Sequence, residues 1–139
     1  MESKGKEGRA MNTIQISFYL RANRIHVFAE ALRCIGSPKR ICFLISSDGQ
    51  TLLMCAYKKR DFRSHKVPRN VYMGERSFEI SSNKLCRILA ELHSWDLKYS
   101  YRVPGAVRKE PDSILFYLAK AEVIGKESPS SLRTGLPEG

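Results

Sequence analysis

The chain has 139 residues, a hydrophobic fraction of 42% and a formal net charge of +10. That length holds one domain with tails and suffices for a buried core; 24 Lys and Arg against 14 Asp and Glu favour a polyanionic partner, nucleic acid before an anionic membrane surface. A membrane-spanning segment is excluded, because no apolar run nears the roughly 20 residues of a span, and the polar N-terminus lacks the apolar middle of a secretory signal.

Residues 1–11 read as a flexible N-terminal tail, 12–124 as a single α+β domain, and 125–139, rich in Gly, Pro and Ser, as a flexible C-terminal tail. Within 13–20, Ile14, Ile16, Phe18 and Leu20 alternate on one face of a half-buried strand. Asn23 can cap a helix over 24–35, where Ile25, Phe28, Ala31, Leu32 and Ile35 share a stripe, and Gly36 and Pro38 stop it. Residues 40–45 predict a strand, Ser46-Ser47-Asp48-Gly49-Gln50 a tight turn, and 51–57 the returning strand.

Residues 58–76 differ in character: seven cations face only Asp61 and Glu75, and Pro68 excludes a regular central strand. An irregular edge strand or long loop ending near Gly74 is expected, then a short strand over 76–80. Ser81 or Ser82 caps a second helix with an apolar stripe of Leu85, Ile88, Leu89, Leu92 and Trp95. A strand over 97–103 ends at Pro104-Gly105, and 108–112 turn. The apolar run 113–124 closes the sheet as one long strand, with a helix as the compositional alternative. Cys34, Cys42, Cys55 and Cys86 each fall in an apolar pattern, and none forms a Cys-x-x-Cys pair. Buried thiols in a reduced intracellular protein are expected.

The order β-α-β-β-β-α-β-β describes two similar halves. It resembles one repeat of the DNA sliding clamps, the proliferating cell nuclear antigen family. Three stretches carry the likeness: the helix over 24–35, the strand-turn-strand over 42–52, and the approach to the second helix over 78–89. The resemblance implies a curved antiparallel sheet with two amphipathic helices on one face, and an accessory protein on nucleic acid.

The basic run supplies candidate contacts. Lys58, Lys59, Arg60, Arg63, Lys66 and Arg69, interleaved with Tyr57, Phe62 and His65, have the groups for phosphate contacts plus base stacking. The same charges would also protect a solvated sheet edge from aggregation. Arg24, Arg33, Lys84 and Arg87 on the helices would track a duplex through phosphates, or serve as ordinary polar faces. Trp95, Tyr99 and Tyr101 belong to the core, or to a groove for a partner peptide.

His26, His65 and His93 lack metal-ligand spacing. Asp48-Gly49 is a turn, and Asp61, Glu75, Glu79, Glu91 and Asp96 are scattered. The expectation is therefore no catalytic residue, no metal and no cofactor. The sequence points to a non-enzymatic accessory or scaffold that binds DNA or RNA by its basic surface and self-associates through sheet edges. Its expected location is intracellular, in nucleus, cytoplasm or nucleoid, and away from membranes. The alternative is a protein-interaction adaptor that receives a partner peptide or subunit.

Overall fold

A computed structural model describes residues 14–61, 63–109 and 112–125. Apart from Gly125, both expected tails lie outside the described residues, as do Asn12, Thr13, Phe62, Glu110 and Pro111.

The first alternating segment forms β1 (Gln15–Tyr19), with Ile16 and Phe18 fully buried. It pairs antiparallel with β2 (Arg24–Phe28), Ile16 opposite Val27 and Tyr19 opposite Arg24. Asn23, expected to cap a helix, instead sits at φ 55° in the link between these strands, a left-handed conformation that Asn tolerates. The helix expected over 24–35 is thus corrected: only α1 (Ala29–Cys34) is helical. Ile25, Val27 and Ala29 satisfy a period of two as well as Ile25, Phe28 and Leu32 satisfy a helical one. Strand partners on both flanks of β2 decide between them.

The hairpin of β3 (Arg40–Ile45) and β4 (Thr51–Ala56) forms as the sequence predicts. The Ser46 hydroxyl donates to the Asp48 carboxylate at 2.6 Å, which also accepts from the Gln50 amide at 3.0 Å. Gly49 takes φ 74° beneath Leu92. The basic segment then makes only a two-residue strand, β5 (His65–Lys66), and a 3-10 turn (Arg69–Met73).

β6 (Ser77–Ser81) leads into α2 (Asn83–His93), whose cap is Ser82: its hydroxyl accepts from the Leu85 amide at 3.2 Å. The buried face of α2 is Cys86, Leu89 and Ala90. Ile88 and Leu92, placed in the core stripe by spacing, are exposed at 36% and 52%.

The next strand does not stop at Pro104-Gly105; β7 runs from Ser100 to Arg108. The Gly105 amide donates to the Ile14 carbonyl on the β1 side. Strand alternation therefore turns the nitrogen of Pro104 to the other flank. There β8 (Ser113–Tyr117) has ended and β9 (Glu122–Ile124) has not begun, so no ladder donor is missing. The run 113–124 is accordingly two strands split by a 3-10 turn (Leu118–Lys120), not one.

Among the described residues nine strands form one antiparallel sheet in the order β5-β3-β4-β8-β7-β1-β2-β6, with β9 beside β7. With the two described helices, this is an α+β architecture. The pairings describe two similar halves, as expected, but with an extra strand in each: β1-β2-α1-β3-β4 and β5-β6-α2-β7-β8. Corresponding strands pair with one another about a quasi-two-fold axis, β2 with β6 through His26 and Glu79, and β4 with β8 through Leu53 and Leu115. The sheet curls nearly closed around Phe18, Phe116, Ile16, Ile25, Ile41, Leu52, Met54 and Ile114.

Candidate nucleic-acid interface

The segments on either side of β3 converge on one hollow. Gly36 turns the chain at φ 88° after α1, and Lys39 and Arg40 enter β3. The Tyr57 amide, just past β4, donates to the Arg40 carbonyl at 2.9 Å, and the Val67 amide donates to the Lys39 carbonyl at 2.8 Å. These bonds hold the ends of β4 and β5 against the start of β3. Between them opens a hollow of about 830 Å³. Ile35, Pro38 and Val67 contribute apolar surface, and Tyr57 an aromatic ring. Its charged lining residues are Lys39, Arg40, Lys58, Arg60, Lys66 and Arg69, with no Asp or Glu among them.

The loop beside the hollow is braced by its one carboxylate. Asp61 accepts from the Arg63 amide at 3.0 Å, the Arg63 guanidinium at 3.2 Å and the Tyr57 hydroxyl at 3.0 Å. Burial works to raise the Asp61 carboxyl, but these bonds outweigh it and hold it below its ordinary value. Burial and the bond to Asp61 push the Tyr57 phenol up. The Ser64 hydroxyl lies 2.7 Å from Arg40 Nε, which donates to it, and 2.9 Å from the Lys59 carbonyl, to which it donates. Burial, then the charge of Arg40, lower the His65 imidazole, so it is neutral near pH 7.

The predicted site residues separate into three groups. Lys58, Arg60, Lys66 and Arg69 meet in the hollow. Lys59 is exposed on the same loop, and Arg63 turns to Asp61 and packs 5.8 Å from the centre of the Tyr57 ring. The four cations assigned to helices lie outside this hollow. Arg24 lies on a strand and bonds Glu79 at 2.6 Å, beside the His26–Glu79 contact. Arg33 is exposed at the end of α1, while Lys84 and Arg87 are exposed on α2. Lys39 and Arg40 were missed as site residues; their adjacency to Pro38 at the start of a strand was the available signal.

The third group is aromatic. Trp95 stacks on Tyr101 with centroids 4.8 Å apart, and packs 5.7 Å from Phe18. Tyr101 is 8% exposed and its hydroxyl accepts from the Asp96 amide at 2.8 Å. Tyr99 is half-buried against the same core. Tyr101 is part of the core, and Trp95 and Tyr99 pack against it partly buried.

No protein-family model, curated protein or solved structure matches the chain. The likeness to sliding clamps therefore rests on sequence pattern. Of its three stretches, 42–52 form a strand-turn-strand and 78–89 a strand leading into α2, whereas in 24–35 only Ala29–Cys34 is helical.

His93 bonds the Gly49 carbonyl at 2.8 Å. Cys42 and Cys55 face each other across β3 and β4 with sulfurs 3.3 Å apart. Among the described residues no three His, Cys, Asp or Glu side chains gather as a metal site would require, and no helix is long and apolar enough to cross a membrane.

Proposed function

We propose that the protein is a non-enzymatic accessory factor that binds nucleic acid through the cationic hollow. The observation that carries this reading is six Lys and Arg side chains around one concave surface with no carboxylate in its lining. Uncompensated cations in a concavity concentrate a field that attracts phosphate, and each phosphate bound releases condensed counterions. Arg40, Arg60 and Arg69 supply forked donors for phosphate oxygens, and the lysines supply mobile point charges. Tyr57 offers a ring against which an unpaired base can stack. Such contacts hold a strand without reading its sequence. The clamp-like sequence pattern and the net charge of +10 support the same role. An intracellular location and self-association through the sheet ends, β5 with β3 and β6, complete the proposal.

The test is fluorescence anisotropy with labelled single-stranded and duplex oligonucleotides across a salt series. Contact with four to six phosphates of a single strand gives log K against log salt a slope of about −3 to −4. Reversal of Lys58, Arg60 and Arg69 to Glu should abolish binding. Reversal of Arg24, Arg33 and Arg87 should leave most of it. Absence of binding at low salt, or equal loss in both triple variants, defeats the reading.

A further inference from the structure

Two thiols meet across the β3–β4 hairpin. Cys42 and Cys55 stand directly opposite each other in its register. The Tyr57 amide donates to the Arg40 carbonyl at 2.9 Å, and the Ser46 amide donates to the Thr51 carbonyl at 3.0 Å. These two bonds mark hydrogen-bonded pairs of the ladder, and every second pair between them is of the same kind. Cys42 with Cys55 is one, and in such pairs the Cα atoms are about 5.5 Å apart. A disulfide accepts Cα separations of about 4.4–6.8 Å. The two sulfurs already lie 3.3 Å apart, so a bond between them leaves the strand pairing in place.

The two thiols differ in access. Cys42 is 5% exposed, whereas Cys55 is half-buried. Both line a groove of about 610 Å³, together with Tyr57, Arg63 and His65. Burial, then the bond to Cys55, keep the Cys42 thiol protonated near neutral pH. Cys55 is therefore the sulfur that a solute in the groove meets first, and Cys42 stands behind it in contact. Cys34 is exposed on α1 and Cys86 is buried on α2.

We propose that Cys42 and Cys55 form a reversible redox site, a dithiol that a small-molecule disulfide such as oxidised glutathione converts to an intrachain disulfide. The Cys55 thiolate, its proton lost to water, attacks one sulfur of the glutathione disulfide. A mixed disulfide forms on Cys55, and one glutathione leaves as thiolate. The Cys42 thiolate then attacks the Cys55 sulfur, the bond between the two cysteines forms, and the second glutathione leaves. The two protons given up by the protein return both glutathiones to thiols. The protein loses two electrons and the glutathione disulfide gains them. Little of Cys42 is ionised at any moment, but its contact with Cys55 raises its effective concentration and offsets that scarcity. In a reducing compartment the reverse exchange restores the dithiol. The cross-link ties β3 to β4 two residues from Arg40 and Tyr57, at the rim of the cationic hollow. It also restricts the unfolded chain. This site is separate from the proposed nucleic-acid role and stands without it.

The test is incubation of the full chain carrying Cys34→Ser, which removes the exposed thiol, with oxidised glutathione at about pH 8. Two of the three remaining thiols should disappear. Peptide mapping by mass spectrometry should find Cys42 joined to Cys55, and dithiothreitol should restore both. The urea midpoint should be higher for the oxidised chain than for the reduced one. With Cys42→Ser added, the reaction should stop at a stable glutathione adduct on Cys55. With Cys55→Ser added, Cys42 should stay unmodified in the folded protein. The mapping on the Cys34→Ser chain decides the question by itself, whether or not a second substitution impairs folding. Four results overturn the proposal: all three thiols still free after hours, a lasting glutathione adduct on Cys55 beside a free Cys42, a bond from either cysteine to Cys86, or a Cys42–Cys55 bond that forms only in urea.

Discussion

Single residues in this protein are constrained by what stands opposite them across the sheet. A Cβ at Gly105 would lie 2.6 Å from the Phe116 ring and 3.0 Å from the Leu115 carbonyl oxygen. Gly105→Ala should therefore destabilise the fold by about 1–3 kcal/mol in urea titration, through overpacking. The thiols divide by environment. Burial raises the Cys42 thiol, with further help from its bond to Cys55, to about 12, and burial raises Cys86 to about 11. Cys34 is exposed, contrary to the expectation of four buried thiols. At pH 8 a thiol-specific reagent should modify Cys34 first and reach Cys42 and Cys86 only on unfolding, as peptide mapping would show. Glu79 joins two strands: hydrogen bonds from His26, then Arg24, hold its carboxyl below the ordinary 4.5. A depressed carboxyl contributes stability that is present above the unfolded value and lost as pH falls through the folded one. The urea midpoint should drop below about pH 4.5, and Glu79→Gln should flatten that drop.

At the scale of elements, the decisive fact is which face of a segment finds a partner. α2 carries apolar residues over more than half its circumference, so spacing alone leaves the buried face open. Packing selects Cys86, Leu89 and Ala90 and leaves Ile88 and Leu92 in solvent. Leu89→Ala should cost about 2–5 kcal/mol, as loss of a fully buried leucine does, whereas Ile88→Lys should change thermal stability little. β2 teaches the same lesson. Its five residues satisfy both periods, and a short segment between two strand partners becomes a strand whatever its helical stripe. The hairpin of β3 and β4 was legible, to within one residue at its end, because Asp48-Gly49 fixes the turn chemically and needs no distant partner.

For the whole molecule, charge and topology act together. The cations of 58–69 are spread along the chain, yet four of them meet Lys39 and Arg40 because the ends of β4 and β5 are both bonded to the start of β3. On the proposed reading such a hollow would bind phosphate with a steep salt dependence, whereas the same charges spread over a flat edge would bind weakly. His65 sits at this junction, with its imidazole lowered by burial and by Arg40. Its contribution is present above its ordinary value of 6.5 and is lost as pH falls below it. Hydrogen exchange should therefore show β5 loosening between pH 7 and pH 5, before the sheet as a whole, and His65→Phe should remove that dependence.

The sequence by itself determined the α+β class, the two-part order, the β3–β4 hairpin, the cap of α2 and the location of the densest positive charge. Each of these follows from neighbours in the chain: alternation, a turn dipeptide, a capping hydroxyl, a cluster of like residues. Tertiary structure decided the conversion of 24–28 from helix to strand, the passage of β7 through Pro104, the exposed stripe on α2 and the gathering of Lys39 and Arg40 into the hollow. These depend on partners brought together by the fold from as far as 89 residues away, as in the pairings of Val27 with Phe78 and of Gln15 with Pro104. Local propensities differ by less than the free energy of burying a face, so the long-range partner prevails wherever the local signal is divided.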